Sequence, residues 1–165
     1  MATFTYNHAK ERLLEGTYDP TGGSDSHFIA LVMSNTTADT EYDATTMSGF
    51  TTLDEHDGAS YSSTARTAVA MAASATAAGS GTNTGASGFS TLASSSSTAT
   101  ISAPDTGTRN SVAVVLYIGT LSSAADATNV PIAYFDLTGG GSGFATNSSS
   151  DVVIQWNSSG VLKMA

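Results

Sequence analysis

The residues with the most obvious chemical potential are clustered at 54–61, DEHDGASY, where three carboxylates, a histidine, a glycine and a tyrosine fall together. Asp54, Glu55 and Asp57 are hard oxygen donors of the kind that hold calcium or magnesium. The spacing does not make an EF-hand. With Gly58 at the sixth position of such a loop, the first position is Leu53 and the twelfth is Thr64, and neither supplies the required carboxylate. An irregular cation site stays open by composition, but no metal is expected. His56 has no second histidine or cysteine nearby, since His8 and His27 are remote and follow no ligand spacing. Acid–base catalysis by paired carboxylates needs a cleft and environments that push their pKa values apart, and the sequence indicates neither. Asp and Glu beside Gly are ordinary turn formers, so the stretch reads as a structural corner, with Gly58 turning the chain and Tyr61 opening a strand.

Other catalytic and cofactor signatures are missing. No G-x-x-x-x-G-K-S/T is present, the glycines at 139–143 do not form G-x-G-x-x-G, and nothing matches G-x-S-x-G. No catalytic residue and no cofactor is expected. Asn35, Asn147 and Asn157 open N-x-S/T triplets, which arise by chance in so Ser/Thr-rich a chain. Trp156 could stack on a sugar. Its parity with Val152 and Ile154 favours a place in the core.

The elements that would position these residues are mostly strands. The run at 9–16, AKERLLEG, combines good helix formers with a stopping glycine and predicts a short helix. Residues 1–8 read as an arm ahead of it, and 17–25 as turns. Apolar runs at 27–34, 111–120 and 130–137 predict strands buried on both faces, the last with Pro131 near its start, where a missing N–H is tolerated. Residues 61–71 predict a half-buried strand with Tyr61, Ala65, Val69 and Met71 inward and Ser62, Thr64 and Arg66 outward. Residues 151–156 alternate as a further strand. The Ala/Ser/Thr/Gly-rich stretch at about 72–100 has linker composition and is expected to be a long loop followed by an edge strand. Short strands separated by turn signals point to a mainly β chain, an antiparallel β-sandwich of jelly-roll type. The expected organisation is an arm and helix over 1–25 and a sandwich domain over 26–165.

The bulk properties narrow the partners. Charged residues make up 12% of the 165-residue chain, half the usual share of about 25%. Five Lys and Arg stand against 14 Asp and Glu, a net charge of −9. That balance opposes nucleic-acid binding, which needs cations to displace counterions from phosphates, and opposes anionic membrane surfaces. The longest apolar run is far short of a membrane span. No apolar leader is visible in MATFTYNHAKERLLEG. The chain has no cysteine, which removes disulfides and thiolate chemistry and fits assembly in a reducing cytoplasm.

Three motifs in order, D-E-x-D-G-x-x-Y, P-x-A-Y-x-D and I-Q-W-N-x-x-G-I/V-L, give the chain a resemblance to small virion structural proteins of tailed phages, of the capsid cement or decoration type. They fall on Asp54, Glu55, Asp57, Gly58 and Tyr61, on Pro131, Ala133, Tyr134 and Asp136, and on Gln155, Trp156, Asn157, Gly160, Val161 and Leu162. The resemblance implies a non-enzymatic protein made in the host cytoplasm that coats the exterior of the head. There it would bridge major capsid protein subunits and self-associate as a dimer or trimer. Candidate partner contacts are Phe4 and Tyr6 of the arm, the acidic corner (Asp54, Glu55, Asp57, Tyr61), and loops at 72–88 and 138–150. Gly58, Pro131, Tyr134 and Trp156 are expected to be structural. The alternative is a tail-fibre or adhesin-type module that recognises a host surface glycan.

Overall fold

The computed structural model describes residues 3–18, 26–61, 66–69, 71–73, 91–94, 98–156 and 162–163. Among these the chain is mainly β, with antiparallel sheets and one short α-helix. The strands are β1 (Phe4–Thr5), β2 (His27–Met33), β3 (Thr67–Val69), β4 (Met71–Ala73), β5 (Thr91–Ser94), β6 (Thr98–Ile101), β7 (Ser111–Ile118), β8 (Val130–Asp136), β9 (Val152–Gln155) and β10 (Leu162–Lys163). The helix, α1, is Asn7–Leu14.

The principal sheet has the order β1-β8-β7-β2-β3, antiparallel throughout, and stays open, with β1 and β3 at its edges. Its centre is built by the three apolar runs. Every residue of β2 and β7 is buried, so both faces of the sheet are covered, which is what an uninterrupted apolar strand requires. Residues directly across from one another share a face. Phe4, Tyr134, Val115 and Ala30 form one row, and Phe135, Val114 and Leu31 form a row on the opposite side. The first row carries an aromatic cluster in which Phe4 stacks on Tyr134 at 5.5 Å and meets Tyr6 and Tyr42 edge-on, while Tyr6 leans on Phe50. On the second side Phe135 receives Trp156, at 5.5 Å in a T-shaped contact. Trp156 follows β9, which pairs with β6, and Ala99, Ile101 and Ile154 of this pair belong to the same apolar core. β4, β5 and β10 form a further small sheet. Pro131 sits where the β7–β8 register shifts, so the ladder slips at the residue that has no N–H to give.

Two sequence expectations change at the N-terminal end. Residues 3–8 are not a projecting arm: Phe4 and Thr5 pair with β8, and Tyr6, fully buried, donates its hydroxyl hydrogen to the Ala38 carbonyl at 2.8 Å. The helix begins two residues earlier than its composition suggests. Tyr6 closes the edge of the sheet through its N–H to Ile132 and accepts from Lys10 N–H, so the first helical turn starts as soon as the chain leaves β8. It ends at Leu14, capped by Glu15, and Gly16 beyond the cap has a φ of +69 that suits glycine. Of the stretch at about 72–100, expected to be a long loop followed by an edge strand, 74–90 and 95–97 lie outside the described residues, and β5 and most of β6 fall in the remainder.

Candidate functional site

The acidic stretch lies along the outer edge of β2. β3 pairs with only the first part of that strand, His27 to Ile29. Beyond it, Met33 N–H donates to the Asp54 carbonyl (2.8 Å), and His56 N–H donates to the Leu31 carbonyl (2.9 Å), with Val32 and Glu55 bridged between them. The Leu31 N–H donates to the Tyr61 hydroxyl oxygen at 2.9 Å. Residues 54–61 therefore finish the edge that β3 leaves open, partly with backbone and partly with a tyrosine hydroxyl. An open edge beside buried apolar residues exposes unsatisfied backbone groups to other chains, and this one is closed from within.

The acidic, histidine and tyrosine side chains of the stretch are used to hold it there. Asp54 accepts from Asn35 N–H (2.8 Å) and pairs with Arg109, whose own charge is reinforced by that carboxylate. Glu55 accepts from Arg66 Nε (2.7 Å) and Nη2 (2.5 Å) and from the Tyr61 hydroxyl (3.1 Å). His56 is buried. Its Nε2 lies 3.2 Å from the Pro104 carbonyl and its Nδ1 3.3 Å from Ser111 Oγ, an arrangement that places the proton on Nε2 and lets Ser111 donate to Nδ1. Asp57 accepts from the Thr108 N–H (2.8 Å) and hydroxyl (2.6 Å), which hold its carboxyl below the usual carboxylate range. Gly58 is required by close approach. A Cβ there would meet the Pro104 carbonyl oxygen at 2.2 Å and the His56 ring at 2.6 Å. Tyr61 N–H returns to the Gly58 carbonyl, closing the turn. Burial, then the nearby Glu55 charge, push the Tyr61 phenol up, so it stays a neutral donor.

Arg66 is the keystone. Its side chain is fully buried, against the expectation that it faces solvent. It binds Glu55 through two nitrogens and Asp126 through Nη1 (2.6 Å) and Nη2 (2.9 Å), and its guanidinium carbon lies 5.2 Å from the centre of the Tyr117 ring. Burial works against its charge, but the hydrogen bonds it donates to Glu55 and Asp126 outweigh that and raise its pKa. Asp126 also accepts from the side chain of fully buried Asn129 at 3.0 Å. One guanidinium thus ties the acidic stretch, β3 and the 120–129 connection together over the central strand β7.

This arrangement is committed to structure. Both charged partners of DEHDGASY, Arg66 and Arg109, come from elsewhere in the chain, and the carboxylates already accept hydrogen bonds from cations, hydroxyls or amides. A bound cation would have to displace them. Among the described residues no group of three or more His, Asp or Glu is placed to hold a metal, and no helix is long and apolar enough to cross a membrane.

The remaining candidates are dispersed. Phe4 is half-buried beside exposed Tyr42, Tyr6 and Tyr134 are fully buried, and Trp156 is buried at 8% exposure. The 138–150 loop borders an open groove of about 330 Å³ between residues 144–147 and 150–155. Asn157, Gly160, Val161 and most of the 72–88 loop lie outside the described residues. Sequence reasoning missed Arg66, Arg109, Thr108, Ser111 and Asp126 as partners. The available signal was scarcity: in a chain with five Lys and Arg, an arginine inside a strand pattern is already anomalous. No family model, curated protein or solved structure matches the chain.

Proposed function

We propose that the chain is a non-enzymatic structural protein of a phage virion. It binds the outer surface of the capsid and stabilises the head by bridging major capsid protein subunits. In this reading the principal sheet and the β6–β9 pair are the two layers of a jelly-roll-like sandwich, and the protein acts as a dimer or trimer so that each assembly spans more than one shell subunit.

The observation that supports the reading is the use made of the residues carrying the resemblance. Asp54, Glu55, Asp57, Gly58 and Tyr61 are spent on closing a sheet edge, and Tyr134 and Trp156 on the core. A motif consumed in this way serves a rigid scaffold. Contact with the shell then belongs to surfaces outside it. The exposed ring of Tyr42 beside Phe4 and the 138–150 loop are the contact surfaces we assign, in place of Tyr6.

The test is the copy number of the protein per purified particle, measured by quantitative mass spectrometry against the major shell protein. A ratio near one, or a simple fraction set by capsid symmetry, is the expected result. A handful of copies would move the protein to the tail and replace this reading with the glycan-binding one.

A further inference from the structure

The acidic stretch contains one feature with a chemistry of its own. Asp57–Gly58 is the only Asp–Gly pair in the sequence, which has no Asn–Gly pair. In such pairs the glycine amide nitrogen, unshielded by a Cβ, can attack the aspartyl Cγ. The N–Cγ bond forms, a C–O bond breaks and water leaves, producing a five-membered succinimide. Addition of water to one carbonyl restores aspartate. Addition to the other gives isoaspartate, in which the main chain runs through the side chain, with no net change in mass. No other reactant is needed.

We propose that Asp57–Gly58 is a latent isomerisation site that Thr108 keeps closed. Two locks are visible. Both carboxylate oxygens of Asp57 are occupied, Oδ1 by the Thr108 N–H at 2.8 Å and Oδ2 by its hydroxyl at 2.6 Å. The carboxyl therefore cannot rotate freely to present Cγ to the following nitrogen. It also stays ionised, and an ionised carboxylate has no hydroxyl to lose as water. The second lock holds the nucleophile. Gly58 is buried, and the space beside its Cα is taken by the Pro104 carbonyl and the His56 ring, which restricts how far its backbone can swing. Asp57 itself is exposed, so water reaches the site once the locks open.

The consequence would be specific. An isoaspartyl linkage inserts an extra methylene into the main chain between His56, which bonds Leu31, and Gly58, which opens the turn to Tyr61. Both attachments to the β2 edge would be displaced by one event. The position that closes the sheet is also the position at which the protein would age.

The experiment is prolonged incubation of the intact protein at mildly acidic pH, with isoaspartate at position 57 measured by enzymatic methylation and peptide mapping. Thr108→Val removes the hydroxyl and keeps the shape, and Thr108→Ser keeps the hydroxyl. We expect Thr108→Val to isomerise roughly tenfold faster than wild type, about the factor that one net hydrogen bond contributes to closing a local opening. The rise should be confined to Asp57, and Thr108→Ser should stay near wild type. Equal rates in wild type and a folded Thr108→Val would overturn the proposal, as would equal acceleration in both variants. If Thr108→Val fails to fold, the wild-type protein decides: isomerisation as fast in buffer as in concentrated urea means that the fold provides no guard.

Discussion

Two arginines grip neighbouring carboxylates of the same short segment, and their surroundings differ completely. Arg66 holds Glu55 from a side chain with no solvent exposure, while Arg109 holds Asp54 from a side chain that is 45% exposed. In water a charge released from its partner is rehydrated, so a surface pair contributes little. In the interior a lost partner leaves the remaining charges with neither water nor counterion. Asp54, whose own side chain is only 4% exposed, keeps the Asn35 N–H if Arg109 is lost, whereas loss of Arg66 strips two carboxylates, Glu55 and Asp126, of their cation at once. The segment is thus anchored firmly at one end and loosely at the other.

The largest effect should come from Arg66→Ala, which leaves the largely buried carboxylates of Glu55 and Asp126 without their shared cation. Loss of about 3–5 kcal/mol in urea unfolding is expected. A loss below about 1 kcal/mol would mean that the buried clasp is no stronger than a surface one. Next comes Tyr61→Phe, which keeps the ring and leaves the Leu31 N–H without its acceptor. It should cost about 2 kcal/mol, and hydrogen exchange should quicken locally at Leu31.

An intermediate effect follows from a carboxylate away from the acidic stretch. Burial pushes the Asp136 carboxyl up, but hydrogen bonds from the Thr138 hydroxyl and N–H (both 2.7 Å) outweigh it and bring the pKa to about 2 from an ordinary 3.8. Because folding favours the ionised form, its contribution is complete above about pH 4 and is lost as the pH falls through about 2. Asp136→Asn should flatten the acid limb of the stability curve in that window. An unchanged limb would assign acid sensitivity to other groups. The smallest effect is expected for Arg109→Ala: a slight drop in melting temperature that disappears when wild type and variant are compared in high salt. A drop that survives high salt would show that the exposed arginine acts by packing rather than by charge.

The apolar centre of this molecule is readable from sequence because burial leaves a local trace. The runs at 27–34, 111–120 and 130–137 correspond to β2, β7 and β8 within a residue or two, since a strand covered on both faces must be apolar throughout. The acidic corner is only half readable. Its turn at Gly58 follows from residue type, but its pairing with β2 depends on backbone groups that any sequence carries. Arg66 was misplaced for a definable reason. Strict alternation puts it on the solvent side, and the partners that make its burial tolerable, Glu55 and Asp126, sit at positions no local pattern connects. Phe4 and Tyr6 look like an arm in sequence because two residues are too few to show a strand period. They are strand and core because β8 and the 38–50 segment provide the place for them.

The order of strands in the principal sheet also bears on how the chain reaches this state. β2 finds its main neighbour, β7, roughly 80–90 residues downstream, and β1 must wait for β8, later still. During synthesis β1 emerges well before β8 and is therefore among the last strands to dock. The earlier segments can make only the short β2–β3 ladder and the contacts of 54–61 with β2 on their own, and the sheet can close only after the ribosome has passed β8. A long search of this kind makes folding slow and all-or-none.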